Sequence, residues 1–406
     1  MTSLAASNGS ANRAALKSKS SRLIQGNPPS FQGTLDDAVS TLQPQIPLYV
    51  TRPDELAEDA AQFVNLFPGD VVYAVKCNPE KHVLQVLAKS GVRSFDVASL
   101  EEIRAVKKVA PKAKLFYMHP VKAPEAIREA YFEHGVRAFV LDSKDEMYKI
   151  MRETDLASDL ELFVRLALPK NKKAMIDFSS KFGALPADAV ELLQLCRNVS
   201  AKLGLCLHVG TQTTEPNVYK RAIKVAATVI KASGVKVDVL DVGGGFPVAY
   251  PDQPVPHLSV FIEAIKEGLH ASKLSHMELM CEPGRALVAR SGSLIVRVEG
   301  RKGNMLYLND GTYGGLFDAG AQLKGRFPVR RVGGFDQFQE IPPEMTAFRF
   351  AGPTCDSIDM MDGPFYLPED MKAGDWIEIG QTGAYSIAMR SNFNGFGAAD
   401  RLALLK

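Results

Sequence analysis

Between about residues 48 and 285 the sequence alternates two hydrophobic periods. Short apolar runs of strand length are separated by segments in which apolar residues recur at helical spacing. The strand-like runs lie at residues 71–75, 94–98, 114–118, 138–141, 162–168, 204–209, 237–242 and 278–281. About eight strand–helix units over this length predict a (β/α)8 TIM barrel, an α/β fold, rather than an open Rossmann sheet.

After Ser293 the helical periodicity disappears. Segments 294–299, 305–308, 347–351 and 376–379 are typical of strands joined by Gly/Pro turns, which favours an antiparallel β domain. We therefore predict a tail over residues 1–35, a barrel over 36–285 and a C-terminal antiparallel β domain over 286–406. Residues 36–50 are the part that could instead join the second domain.

The first 35 residues differ in composition from the rest. They are rich in Ser, Asn and Ala, and no acidic residue precedes Asp36. A transit peptide is one interpretation of such a segment. A disordered extension is favoured over it, because no apolar helical face accompanies the basic residues Arg13, Lys17, Lys19 and Arg22.

Composition excludes several classes of protein. The formal net charge of +2 provides no basic field, so no nucleic-acid partner is expected. No apolar run approaches the roughly 18 residues needed to span a bilayer, and no membrane association is expected. The five cysteines form no CxxC pair and are odd in number, which favours a reducing compartment, the cytoplasm.

Polar residues stand where the predicted barrel strands end, and in a TIM barrel the active site lies at those ends. They are Lys76, Asp96, His119, Asp142, Arg165, His208, Gly243, Gly244, Gly245 and Glu282, and we expect them to face one cavity. Lys76 follows a buried strand, and Pro79 is predicted to open the next helix. A lysine that enters a desolvated pocket can act as a Schiff-base nucleophile, although a lone lysine in this position more often extends to solvent.

Three further motifs carry chemistry. The Gly243–Gly245 triplet after a strand can present backbone N–H groups to an anion. Glu282 and Arg285 place a buried-strand carboxylate near a guanidinium suited to phosphate. His208 ends another strand. Taken one at a time, each motif has a structural explanation: the glycines could form a turn, Glu282 and Arg285 could be a structural ion pair, and His208 could be a core histidine. Together with Lys76 they predict pyridoxal 5'-phosphate chemistry, with no metal: the amine holds the aldehyde and the carboxylate keeps the pyridine nitrogen protonated.

The motifs at residues 74–78, 95–99, 180–183, 208–210, 241–246, 282–285, 309–311, 352–356 and 383–385 resemble those of eukaryotic-type ornithine decarboxylases, which have the alanine-racemase-like fold (fold type III). The matches run in order from about residue 70 to 397. The resemblance implies that Lys76 holds the cofactor, Glu282 faces its ring nitrogen and His208 stacks on its ring. Residues implied at the phosphate are Thr211, Gly243, Gly244, Gly245, Arg285 and Tyr385, with Thr211 where the family usually has serine. Arg165 and Asp96 match cofactor-side residues.

The resemblance also implies a homodimer whose active sites are shared across the interface. Cys355 and Asp356 match a pair that the family donates to the neighbouring subunit: the cysteine returns a proton to Cα, and the aspartate binds the distal amine. Asp318, in a segment shorter than that of the animal enzymes, is an expected second ligand for this ammonium.

The implied reaction is decarboxylation of a basic L-amino acid: ornithine to putrescine, lysine to cadaverine, or both, in polyamine biosynthesis. Diaminopimelate decarboxylase is an alternative, but those enzymes usually carry Cys-Glu where this chain has Cys355-Asp356. Alanine racemase fits less well, because its tyrosine acid/base has no counterpart here. An inactive binder similar to antizyme inhibitors is a further alternative, disfavoured because such proteins tend to lose the lysine or the cysteine that this chain retains.

Overall fold

The computed structural model describes residues 26–169, 181–333 and 344–406, and these fall into two compact units. The sheet unit contains the described residues up to Leu56, Tyr250–Gln253 and the described residues from Val288 onward. The barrel unit contains Ala57–Ala249 and Pro254–Leu287. Most of the predicted N-terminal tail, and Ser180 of the 180–183 motif, lie outside the described residues.

The described part of the chain begins in the sheet unit. β1 (Ser30–Gln32) is followed by α1 (Leu35–Leu42) and β2 (Leu48–Thr51). A reciprocal pair of hydrogen bonds starts α1: the Asp37 N–H donates to Thr34 Oγ1 (3.1 Å), and the Thr34 N–H donates to Asp37 Oδ2 (3.2 Å). This capping box satisfies two N–H groups that the helix itself leaves unpaired.

Eight parallel strands close into a barrel in the order β10-β3-β4-β5-β6-β7-β8-β9, which confirms the predicted fold. The strands are β3 (Asp70–Ala74), β4 (Ser94–Val97), β5 (Lys114–Tyr117), β6 (Ala138–Leu141), β7 (Glu161–Arg165), β8 (Lys202–Cys206), β9 (Val239–Asp241) and β10 (Glu278–Cys281). The helices that begin before, between and after them are α2 (Pro53–Leu66), α3 (Lys81–Lys89), α4 (Leu100–Val109), α5 (Pro124–Phe132), α6 (Lys144–Glu153), α7 (Pro186–Arg197), α8 (Asn217–Ser233), α9 (Leu258–Ala271) and α10 (Arg285–Val288).

The barrel interior is filled by side chains from all but one of these strands. The buried cluster consists of Val72, Phe116, Met118, Ala138, Val140, Phe163, Cys206, Val239 and Met280. The Phe116 and Phe163 rings pack edge to face with centroids 5.7 Å apart. Gly204 on β8 is required beside them, because a Cβ there would lie 2.3 Å from the Phe163 ring. The interior is therefore a packed core that fixes where each strand ends.

One predicted helix start is wrong. Pro79 does not open the helix after β3; Val75–Cys77 form a 3₁₀ turn and α3 begins at Lys81. Asn78 is extended (φ −158°), as a residue before proline prefers, and its side chain accepts a hydrogen bond from the Glu80 N–H (3.1 Å). Lys76 is consequently held on a tight turn just beyond the strand.

The sheet unit contains β11 (Gly292–Lys302), β12 (Met305–Leu308), β13 (Val329–Val332), β14 (Met345–Ala351), β15 (Met360–Pro368), β16 (Trp376–Gly380) and β17 (Asp400–Leu405). The main strand order is β1-β17-β2-β11-β12-β14-β15, and β16 joins β11 to β13. The β11 pairings with β2, β12 and β16 are antiparallel, as predicted. The β1–β17, β17–β2 and β12–β14 pairings are parallel. Among the described residues no helix is long and apolar enough to cross a membrane.

Candidate active site

Lys76 is paired with Asp96 at the carboxyl-end rim of the barrel. Lys76 Nζ lies 2.7 Å from Asp96 Oδ2. The Asp96 side chain is 3% exposed, whereas that of Lys76 is 51% exposed, so the amine is less desolvated than expected from the sequence. The register places Asp96 opposite Ala74, the last residue of β3, and this brings the carboxylate within reach of the 3₁₀ turn.

Glu282 follows β10 and is within hydrogen-bonding reach of the Asp241 carboxyl at the end of β9. Burial, with the Asp96 charge adding to it, raises the pKa of Glu282 to about 7, while Lys76 and Arg165 act in the opposite direction. Burial and the Glu282 charge raise the pKa of Asp241 as well. Glu282 Oε1 and Asp241 Oδ2 are buried, and no donor reaches either atom within the described residues. A positively charged N–H donor placed at Glu282 would satisfy this pair and favour its ionised form.

His208 is held in one neutral form. Its Nδ1 accepts a hydrogen bond from the Gly210 N–H (3.0 Å), so the ring proton is on Nε2. Burial lowers the pKa of His208 to about 3, and the positive charges of Arg165 and Lys76 act in the same direction. The imidazole therefore offers an uncharged ring at neutral pH.

The glycine triplet approaches its neighbours too closely for any side chain. A Cβ would lie 2.0 Å from the Leu207 carbonyl at Gly243, 2.6 Å from the Glu282 carbonyl at Gly244 and 2.3 Å from the Gly210 carbonyl at Gly245. Gly243 and Gly245 also have positive φ (71° and 97°). The loop thus passes directly beside His208 and Glu282, with Gly243 and Gly244 buried and Gly245 half-buried, and glycines packed this closely are suited to presenting backbone N–H groups to an anion.

The remaining predicted residues of the barrel unit lie at this rim too. Arg165 ends β7, with its guanidinium carbon 5.6 Å from the Phe182 ring centroid. Arg285, at the start of α10, is 5% exposed, and Thr211 is half-buried. Closure of a parallel barrel explains why residues far apart in sequence share the rim. Their individual roles stay predictions.

Cys355 and Asp356 line a cavity of about 530 Å³ in the sheet unit. The Cys355 thiol is exposed, and its Sγ lies 3.2 Å from Asn394 Oδ1. Asp356 Oδ2 accepts a hydrogen bond from the Tyr313 hydroxyl (2.5 Å). This bond holds the pKa of Asp356 below its usual range, so the cavity wall has a neighbouring thiol and carboxylate.

Asp318 and Tyr385 also belong to the sheet unit. Asp318 is buried in the 3₁₀ turn Phe317–Ala319 and does not line the 530 Å³ cavity. Tyr385 has positive φ (52°). Neither placement tests the predicted role.

Sequence reasoning missed Asp359, which fixes the loop that carries Cys355 and Asp356. Its Oδ1 accepts from the Thr312 N–H (2.7 Å) and hydroxyl (2.9 Å), and its Oδ2 from the Thr354 N–H (3.2 Å) and hydroxyl (2.8 Å). Gly311 and Gly352 leave room for this carboxylate, since a Cβ at either would lie 2.2 Å from one of its oxygens. The aspartate, the two glycines and the two threonines can all be seen in the sequence. Asp359 is far along the chain from Gly311 and Thr312, however, and no local sequence pattern predicts that they contact each other.

Comparison with known proteins identifies the family. Residues 54–289 match the family described as pyridoxal-dependent decarboxylase, pyridoxal binding domain. Ornithine decarboxylase of Schizosaccharomyces pombe is 31% identical over 80% of this chain and 75% of its own length. Antizyme inhibitor 2 of Xenopus laevis is 33% identical over 80% of this chain and 73% of its own.

A solved structure extends this similarity to the fold of both units. Lysine/ornithine decarboxylase of Vibrio vulnificus, complexed with putrescine, superposes with a TM-score of 0.76 and 31% identity over 90% of this chain and 96% of that one. The family match covers more than half of the sequence and includes Lys76, His208, the glycine triplet and Glu282. This chain therefore belongs to the family of pyridoxal-phosphate-dependent decarboxylases.

Proposed function

We propose that this protein decarboxylates basic L-amino acids, converting L-ornithine to putrescine and also accepting L-lysine, as a homodimer in the cytoplasm. One observation carries the substrate class: the Asp356 carboxylate stands beside the Cys355 thiol in a cavity of about 530 Å³. The hydroxyl of Tyr313 is a neutral donor, so it leaves the negative charge of Asp356 available to an ammonium group.

The barrel rim fits pyridoxal phosphate. Lys76 places an amine at a strand end, and Glu282 has a buried carboxyl oxygen that no hydrogen-bond donor reaches within the described residues. His208 supplies an uncharged imidazole, and the glycine triplet leaves a space that a Cβ would fill. When bound, the cofactor supplies a protonated pyridine ring that accepts the electron pair released as carbon dioxide leaves.

The proposed roles follow from these positions. Lys76 binds the cofactor aldehyde, and Asp96 orients its amine. Glu282, ionised by the positive charge of the ring, retains the proton at the pyridine nitrogen, while neutral His208 stacks on the ring without repelling it. Arg285 and the glycine loop bind the phosphate, with Thr211 and Tyr385 as further expected ligands.

The second half of the reaction falls to the sheet unit of the partner subunit. Cys355 returns a proton to Cα, and Asp356 binds the distal ammonium. Apolar side chains near Cys355 support a subunit interface here, because such groups are seldom left exposed together. Ile358 is 65% exposed, and Phe393, Phe396 and Met389 are between 42% and 45% exposed.

A binding protein without activity is the second candidate, supported by the 33% identity to an antizyme inhibitor. Lys76 and Cys355, both present here, argue for an enzyme. The reducing cytoplasm is proposed because all five cysteines are free thiols.

The test is carbon dioxide release from L-ornithine, L-lysine, L-arginine, diaminopimelate and L-norleucine. We expect kcat/KM to be highest for ornithine or lysine, with the two within about 1–3 kcal/mol because one methylene discriminates weakly. Norleucine should be poor, since its apolar side chain would displace water from Asp356 without offering a charged partner, and only neutral donors such as the Tyr313 hydroxyl would remain.

Substitution of Asp356 tests whether its carboxylate determines the preference for diamino acids. Asp356→Asn should strongly reduce kcat/KM for the diamino acids and leave cofactor content unchanged. Asp362→Asn, which removes an exposed partner of Arg349, is the matched control. Equal activity on norleucine would contradict the substrate class, and no activity on any substrate would favour the binding protein.

A further inference from the structure

Lys122 is a fully buried amine for which the proposed chemistry has no use. Its side chain is 0% exposed, and Nζ donates to the carbonyls of His119 (2.9 Å) and Val140 (2.6 Å). Its third partner is Glu146 Oε1 at 2.9 Å, on α6, which is 3% exposed. All three protons of the ammonium therefore have acceptors inside the barrel unit.

Glu146 completes a closed network around this amine. Its Oε1 also accepts from the Lys122 backbone N–H (3.2 Å), and its Oε2 lies 2.6 Å from Lys149 Nζ. Lys149 Nζ in turn donates to the Lys122 carbonyl (2.6 Å). Burial of two charges is costly unless every donor and acceptor is satisfied, and this network satisfies them.

The network lies where the β5–β6 pairing stops. The last paired residues are Tyr117 and Phe139, and Val140, one residue further along β6, gives its carbonyl to Lys122. His119 belongs to the loop that leaves β5. Lys122 thus joins the ends of two adjacent strands to α6 just beyond the sheet hydrogen bonds.

Both strand ends support the turn that carries Phe182. The His119 ring packs on Phe182 with centroids 5.5 Å apart, and Asp142, after β6, accepts from the Gly183 N–H (2.9 Å). The Ala184 N–H then donates to the Arg165 carbonyl (2.8 Å), and the Arg165 guanidinium lies over the Phe182 ring. The charge of Arg165 acts on both Glu282 and His208.

We infer that Lys122 is a positioning residue. With Glu146 it fixes the ends of β5 and β6, and through the Phe182–Gly183 turn these strand ends place the Arg165 side chain at the cofactor edge of the rim. The inference depends on the proposed cofactor-side role of Arg165, but not on which amino acid is the substrate. Lys122 contacts neither cofactor nor substrate in this scheme.

The experiment compares Lys122→Met, the double variant Lys122→Met/Glu146→Gln, and the control Lys114→Met. Lys114 lies at the opposite end of β5 in an exposed ion pair with Glu161, so it matches the chemistry without touching the rim. For each purified protein we would measure the thermal unfolding midpoint, the cofactor dissociation constant by titration of the apoprotein, the visible circular dichroism of the bound cofactor, and kcat and KM.

Lys122→Met should lower the unfolding midpoint, because it removes one of the two ammonium groups that pair with the buried Glu146 carboxylate. The double variant also removes the Glu146 charge; Lys149, whose side chain is 20% exposed, then loses its carboxylate but can be hydrated, so part of the midpoint should return. If Lys122 positions Arg165, the double variant still has a kcat reduced on the order of a hundredfold, a cofactor dissociation constant raised about tenfold and an altered circular dichroism. Lys114→Met should match the wild type throughout.

Recovery of kcat and cofactor affinity together with the midpoint would overturn the inference and leave Lys122 a purely structural residue. Cofactor affinity and circular dichroism unchanged in Lys122→Met would overturn it as well. Because those two measurements need no substrate, they separate failure of this inference from a wrong substrate assignment.

Discussion

At the scale of single residues, the Lys76 amine and its contact with Asp96 give the most direct test of the site. Lys76→Ala should reduce carbon dioxide release below a few per cent of wild type, because no other amine is placed to hold the cofactor aldehyde in this scheme. The barrel should remain folded, with an unfolding midpoint lowered moderately because the buried Asp96 carboxylate loses its ion-pair partner. Lys89→Ala, an exposed lysine in the last turn of α3, is the matched control. Mass spectrometry after borohydride reduction should find the cofactor attached to the wild type and to Lys89→Ala only.

The Asp241–Glu282 pair predicts how the apoprotein responds to pH. The pKa of Glu282 is raised from 4.5 to about 7, so between these values the folded apoprotein binds more protons than the unfolded chain. Its free energy of unfolding should therefore fall as pH rises from about 4.5 through 7, by about 3 kcal/mol from Glu282, and the raised pKa of Asp241 adds to this fall. Denaturant unfolding of the apoprotein at several pH values measures this slope.

Two variants check the source of that slope. Glu282→Gln should reduce the slope, leaving the part that comes from buried Asp241, whereas Glu278→Gln, an exposed glutamate at the other end of β10, should not change it. An unchanged slope in Glu282→Gln would assign the pH dependence to another group. In the holoenzyme the same substitution should lower kcat by several orders of magnitude, since an amide cannot hold a proton on the pyridine nitrogen.

At the scale of elements, Asp359 links two loops of the sheet unit through four hydrogen bonds to Thr312 and Thr354. Asp359→Asn replaces one carboxylate oxygen, which accepts two of the four hydrogen bonds, with an NH2 group. This NH2 group would face the N–H and hydroxyl donors of a threonine. We expect a loss of about 1.5–3 kcal/mol in the free energy of unfolding and a matching loss of activity through the Cys355 loop. Asp362→Asn, in an exposed ion pair, should cost less than about 1 kcal/mol. Equal costs for the two variants would show that the link contributes nothing.

The elements also show what the sequence predicts and what it does not. All eight barrel strands were predicted, and the bounds of Ala138–Leu141 and Glu278–Cys281 match the structure, because buried parallel strands leave unbroken apolar runs. The 3₁₀ turn at Lys76 was missed, since its cause is the conformation of Asn78 before proline. The burial of Lys122 depends on Glu146, 24 residues away, and no local pattern reports such a pair. The parallel β1–β17 pairing joins the first and last strands of the described chain, so no local sequence pattern predicts it either.

At the scale of the whole molecule, the proposed sharing of active sites between two subunits predicts complementation between inactive subunits. Lys76→Ala and Cys355→Ala should each be inactive as homodimers. After random exchange, half of the dimers are mixed and each carries one intact site, so about a quarter of wild-type activity should return. Activity is followed as carbon dioxide release after mixing, with exchange verified by differently tagged subunits. Proven exchange without recovery would mean that each site is built from one chain.

The position of β17 determines when the sheet unit can finish folding during translation. Asp400–Leu405 inserts between β1 and β2, strands that precede the barrel in the sequence, and is hydrogen-bonded to both. The barrel strands are all complete by Cys281. As the nascent chain leaves the ribosome, the barrel can therefore close early. β1 and the edge of β2 that does not pair with β11 wait for more than 300 residues until β17 emerges. Until then their unpaired edges need protection, so a ribosome stalled just before residue 400 should expose a segment that chaperones bind and proteases cut.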